Sequence, residues 1–196
     1  MNTPRSKPPE RYEGPKFGKV LGTLKAGIHN NELLFAVGFI GTYWPHTEEL
    51  MSAFFGELLG IEDESSARQV FRSIVNQRVR ITIMKTMLEK SPAHQSKTAV
   101  FDEIIAEYSS LNSARNTYLH GLWYTANDNR VYLEEATDDY DRFLDSREVK
   151  VREVEALIKR VGVFNKRLLE RAETRTLARA LSSPQKPPSP KSDSTP

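Results

Sequence analysis

Apolar residues return every three or four positions through most of the stretch from Asn31 to Leu181, in runs too long and regular for strands. That period puts them on one face of a helix, so the chain must bury helical stripes against one another. Leu33, Leu34, Val37, Ile40 and Trp44 open the first run behind Asn30 or Asn31, either of which suits an N-cap. Pro45 removes a backbone donor and predicts a kink or a division there. Leu50, Met51, Phe54, Phe55, Leu58 and Leu59 then resume the stripe, and Gly60 closes it as a C′ residue. A second long helix is expected over Glu64–Lys90, capped by Ser65 or Ser66, with Ala67, Val70, Phe71, Ile74 and Val75 as its stripe and Ser91-Pro92 as its stop. A third runs from about Gln95 to His120 on Val100, Phe101, Ile104, Ile105, Tyr108 and Leu111. The last spans Ser146–Leu181 on Val151, Val154, Leu157, Ile158, Val161, Phe164, Leu168 and Leu169.

Leu122–Thr125 and Val131–Glu135 are short, apolar or aromatic, and separated by Ala126-Asn127-Asp128-Asn129-Arg130, the pattern of a small β-hairpin. The expected fold class is therefore all-α: an up-and-down bundle of four to five helices with a hairpin after the third long one. Nine of the 11 prolines lie before Lys16 or after Leu181. Segments so rich in Pro, Ser and Lys bury too little apolar surface to offset the entropy of ordering them. Residues 1–21 and 182–196 are thus expected to be flexible tails around a helical domain over residues 22–181. Residues 16–27, with Gly18, Gly22 and Gly27, read as an irregular lead-in.

The chain has no cysteine, which removes disulfides, thiolate metal sites and a thiol nucleophile. Its 28 basic and 26 acidic residues nearly cancel, so any nucleic-acid contact must come from local charge. Acidic residues crowd Glu134–Asp145, whereas ten basic residues face five acidic ones between Arg147 and Arg179. The first 30 residues lack the apolar stretch of a secretion signal, and no run of about 18 apolar residues exists to span a bilayer, so a cytoplasmic protein with no membrane contact is expected. The glycines near the start match neither a P-loop nor a dinucleotide fingerprint, and no GxSxG accompanies the serines. His29, His46 and His94 are scattered and none has metal-ligand spacing, so neither a metal nor another cofactor is expected.

The most informative stretch is Ser113-Ala114-Arg115-Asn116-Thr117-Tyr118-Leu119-His120-Gly121. Leu111 and Arg115 are one turn apart, so a guanidinium continues the apolar stripe of the third helix, where a charge is costly unless it is paired or faces water or an interface. His120, five residues on, is rotated by about 140° and displaced by about 7.5 Å on an ideal helix. The two side chains cannot converge within one straight helix. Either the last turn distorts, or a second copy of the chain completes the site. The alternative is that Arg115 anchors a carboxylate and His120 caps the helix, since cations sit well at a helix C-terminus. Tyr118, Trp123 and Tyr124 lie close by and can stack on an unpaired base or simply fill core.

Arg115-Asn116-Thr117-Tyr118-Leu119-His120, at the end of a long helix in an all-helical domain of this size, resembles the HEPN superfamily of nucleotide-binding helical domains. Its signature is an arginine, a polar residue, three further residues and a histidine, and every defined position is matched. The long first helix carrying Pro45 and the hairpin after the motif are departures that bear on the subfamily. The resemblance implies a metal-independent endoribonuclease that cleaves single-stranded RNA by attack of the 2′-hydroxyl on its own phosphodiester. It implies that Arg115 clamps the phosphate, His120 moves the proton and Asn116 positions them; beside that site, Tyr118 and Trp123 are expected as substrate-binding residues from their aromatic rings. It also implies a homodimer whose two motifs face each other, a role as a toxin or antiviral (phage-defence) effector, and a cognate inhibitor protein as partner. The alternative is a non-catalytic helical domain that binds a partner protein or nucleotide. A further reading is a DNA-binding regulator that uses Lys166, Arg167 and Arg171 on the basic last helix.

Overall fold

A computed structural model describes residues 24–90, 98–134 and 146–182. The expected tails lie outside the described residues for 1–23 and 183–196, as does the acidic stretch from 135 to 145. Five helices are described, α1 (Asn31–Leu59), α2 (Glu64–Ser73), α3 (Gln77–Lys90), α4 (Thr98–His120) and α5 (Val151–Ser182), together with strands β1 (Lys25–Ala26), β2 (Leu122–Thr125), β3 (Val131–Glu134) and β4 (Arg147–Glu148). The protein is mostly α-helical, with a small antiparallel sheet.

Local chemistry sets the helix ends. Asn30 Oδ1 accepts the Leu33 N–H at 2.9 Å, capping α1. The helix then runs unbroken through Pro45. At its far end Gly60 takes φ +69°, Ile61 N–H reaches Gly56 O at 2.9 Å and Gly60 N–H reaches Glu57 O at 3.3 Å. That pair of bonds is a Schellman motif, and its left-handed residue favours glycine.

Four expectations are corrected here. The second helix begins on Asp63, whose carboxylate accepts Ser66 N–H at 2.8 Å, and not on Ser65 or Ser66. It also divides at residues 74–76. Asn76 Oδ1 accepts Arg78 N–H at 2.9 Å and starts α3, Arg80 Nε donates to Ile74 O at 2.6 Å, and Val75 is left 89% exposed. An asparagine side chain that satisfies backbone donors competes with helix continuation, and here it wins. The last helix starts at Val151, because Arg147–Glu148 pairs with β3 instead. Leu34, Val70, Val100 and Leu169, read as stripe members, lie on the exposed side.

The described residues form two compact units, one from 24–44 with 108–160 and one from 45–107 with 161–182. In the first, Leu33, Val37, Ile40, Tyr108, Leu111, Val154 and Leu157 are buried, and Trp44 stacks on Tyr108 at 5.9 Å between ring centroids. The sheet belongs to this unit, in the order β1-β2-β3-β4. The expected hairpin is present, with Trp123 opposite Leu133 and Tyr124 opposite Tyr132, and turns through Asn129 at φ +64°. The lead-in adds β1, tied to the sheet by Thr125, whose hydroxyl donates to Gly27 O at 2.8 Å and accepts His29 N–H at 3.0 Å.

In the second unit Phe54 meets Phe101 edge-on at 5.3 Å and Phe55 meets Phe71 at 5.4 Å. Met51, Met84, Ile105, Phe164 and Leu168 are buried there too. Arg171 forms a bidentate pair with Glu57, at 3.0 and 2.6 Å, and lies over the Phe101 ring at 4.3 Å.

Candidate functional site

The site is built on the last turns of α4. Ile104, Tyr108 and Leu111 hold that helix in place by burial, and Arg115 follows on the same face, partly exposed. Its guanidinium donates to Asn116 Oδ1 at 2.7 Å and lies over the ring of buried Trp44 at 5.9 Å. A neighbouring amide and an indole face thus orient the fork, a planar group of the kind that recognises anions bidentately.

His120 is the final residue of α4 and is exposed. The helix does not distort before it, since Gly121 N–H still reaches Thr117 O at 3.2 Å. Arg115 and His120 therefore project in directions about 140° apart. Among the described residues the imidazole has no hydrogen bond or ion pair. One chain brings Arg115 and Asn116 together and leaves His120 on another side of the helix.

Gly121 gives the chain its sharp exit from α4 into β2. A Cβ there would lie 2.3 Å from Leu133 Cδ1, 2.7 Å from Thr117 O and 2.9 Å from Glu134 O. Only a residue without a side chain fits that approach.

Tyr118 and Trp123 do come together. Their rings stack at 6.3 Å with planes 21° apart, and Trp123 Nε1 donates to Tyr118 O at 3.0 Å. Tyr118 is only 8% exposed, so its ring supports the more accessible indole.

Sequence reasoning missed two residues here. Arg147 of β4 lies over Tyr118 at 5.9 Å, its Nη2 is 3.5 Å from the Tyr118 hydroxyl, and its Nη1 donates to Glu153 Oε2 at 2.7 Å. Glu153 also accepts Lys150 N–H at 3.0 Å, the acidic half of a capping box at the start of α5. Burial pushes the Glu153 carboxyl up, but the bonds from Lys150 N–H and Arg147 outweigh it and hold its pKa below the ordinary value. Lys150 is not an N-cap type of residue, so the Lys150-to-Glu153 spacing did not announce a cap. Nothing local placed Arg147 against a residue 29 positions away.

Comparison with protein families, curated proteins and solved structures finds no match to this chain. Among the described residues, no group of three His, Asp or Glu side chains is placed to hold a metal ion. No described helix is long and apolar enough to cross a membrane.

Proposed function

We propose that the chain is an endoribonuclease of the HEPN type, acting on single-stranded RNA. The observation that carries the reading is the motif's setting: a guanidinium held by Asn116 and Trp44 on the last turns of α4, and an exposed imidazole ending the same helix. The chemistry suits these groups. The RNA 2′-oxygen attacks phosphorus, the bond to the 5′-oxygen breaks, and a 2′,3′-cyclic phosphate and a 5′-hydroxyl result. His120 takes the 2′ proton and returns a proton to the departing 5′-oxygen, a form of catalysis worth about 10²–10⁴ in rate. Arg115 binds the phosphate oxygens and stabilises the charge that builds in the transition state. The divergence of the two side chains fits a site completed by a second copy, so the active form under this reading is a homodimer.

The test incubates the full chain with mixed single-stranded RNA in excess chelator, alongside Arg115→Ala and His120→Ala. Wild type should give cyclic-phosphate ends, and both variants should lose them while keeping wild-type helicity and mass in solution. RNA that stays intact at high enzyme excess, with or without added metal, refutes the proposal.

A second reading has its own support. On the outer side of α1 in the first unit, Phe35 is 75% exposed, Leu34 52% and Phe39 39%. Exposed apolar surface of that kind suits a partner protein, and an inactive chain that captures a partner through this face would favour a non-catalytic binding module.

A further inference from the structure

The Tyr118–Trp123–Arg147 cluster belongs to the same unit as the motif and is not accounted for by the roles of Arg115, Asn116 and His120. Tyr118 follows Arg115 by three residues, about 60° around α4 and 4.5 Å along it. The guanidinium that rests on Tyr118 is therefore a second cation on the Arg115 side of the helix. It comes from β4, is 41% exposed, and is steered by a carboxylate that is itself fixed at the start of α5. Trp123, backed by Tyr118 and anchored through its Nε1, offers a pre-oriented indole beside it. A flat aromatic surface and a positioned guanidinium are the two components that hold a nucleotide of a single strand, one for the base and one for the phosphate.

We infer that Trp123 and Arg147 form a nucleotide subsite of single-stranded RNA adjoining Arg115, with a base stacked on Trp123 and the neighbouring phosphate on Arg147. This deepens the ribonuclease reading and rests on it for the identity of the ligand. Glu153 is the gate of the subsite: its carboxylate competes with the phosphate for Arg147, so it holds the fork in place while weakening its hold on RNA.

The probe is a labelled 2′-O-methyl oligouridine, whose blocked 2′-oxygen prevents cleavage, titrated against the full chain by fluorescence anisotropy at several salt concentrations. Trp123→Leu should weaken binding by about five-fold or more, the lower end of what one stacked base contributes. Arg147→Gln should weaken it and reduce the slope of log affinity against log salt by about 0.7, the loss of one phosphate contact on a single strand. Arg147→Lys should restore the slope. Glu153→Gln should tighten binding, because the competing carboxylate is gone. A structural role for the Arg147–Glu153 pair would weaken binding in both Arg147→Gln and Glu153→Gln, and that result overturns the inference. So does an Arg147→Gln variant, folded by circular dichroism, whose affinity and slope match wild type. Cleavage assays on unmodified RNA separate the two proposals. Probe binding with these dependences but no cleavage sinks the nuclease and keeps the subsite; cleavage with an unchanged KM in Arg147→Gln does the reverse.

Discussion

Replacing Gly121 by alanine tests whether the close approach between the end of α4 and β3 sets the motif's geometry. The added methyl would sit 2.3 Å from Leu133 Cδ1 and 2.7 and 2.9 Å from the carbonyl oxygens of Thr117 and Glu134. To reach ordinary contact the leucine must retreat by about 1 Å and the two oxygens by at least half an ångström or so. Leu133 is fully buried, and both oxygens belong to backbone in α4 and β3, so no flexible side-chain end can absorb the whole displacement. Overpacking of this kind costs about 1–3 kcal/mol, and two backbone contacts put Gly121→Ala near the top of that range. At roughly 2–4 °C per kcal/mol for a chain of this size, Tm should fall by about 4–12 °C. Urea unfolding followed by circular dichroism should show a lower midpoint with an unchanged slope. Gly38→Ala is the control: it lies inside α1, a Cβ there meets nothing within 4 Å, and helix propensity should raise stability by up to about 1 kcal/mol. A Gly121→Ala protein within about 0.5 kcal/mol of wild type would refute the packing argument.

Glu153 makes stability depend on pH. With its folded pKa held below the ordinary carboxylate value of about 4.3, its contribution is fully present above that value and is lost as pH falls through the folded pKa. Unfolding free energy measured from pH 6 to pH 3 should therefore fall less steeply in Glu153→Gln than in wild type; equal slopes count against the assignment. In the second unit, Arg171→Ala leaves Glu57, 16% exposed, without its bidentate partner and uncovers Phe101. The expected loss is about 2–3 kcal/mol in denaturant melts, somewhat under that of a fully buried pair. Arg171→Met with Glu57→Leu should recover most of it, and a double variant no more stable than the single one would contradict this reasoning.

What was legible in the sequence was local. The Asn30 cap, the Gly60 terminator and the hairpin each depend on residues a few positions apart, and each is found where the pattern put it. The break at 74–76 was hidden because Ile74 and Val75 continue a helical period, while the side chain of Asn76 decides against it. β4 was illegible for a different reason. A two-residue strand has no pattern of its own and exists only because Leu133 and Tyr132 offer it an edge. The same division runs through the candidate site. Arg115, Asn116 and His120 could be read from one turn of sequence, and Trp123 from its nearness to them. Arg147 and Glu153 could not, since the contact with Tyr118 closes over a long intervening chain.

Each of the two units draws on stretches separated by more than 50 residues, because 45–107 lies between the parts of one and 108–160 between the parts of the other. In order of synthesis the first unit is therefore complete only once residue 160 has emerged, and the second only with the residues from 161 onward. Trp44 must wait about 64 residues for Tyr108, some 3–13 s at ordinary rates of translation. Throughout that interval the Leu33–Trp44 stripe has no wall of its own unit to close against, and transiently exposed apolar surface of that kind is prone to aggregate until α4 has emerged.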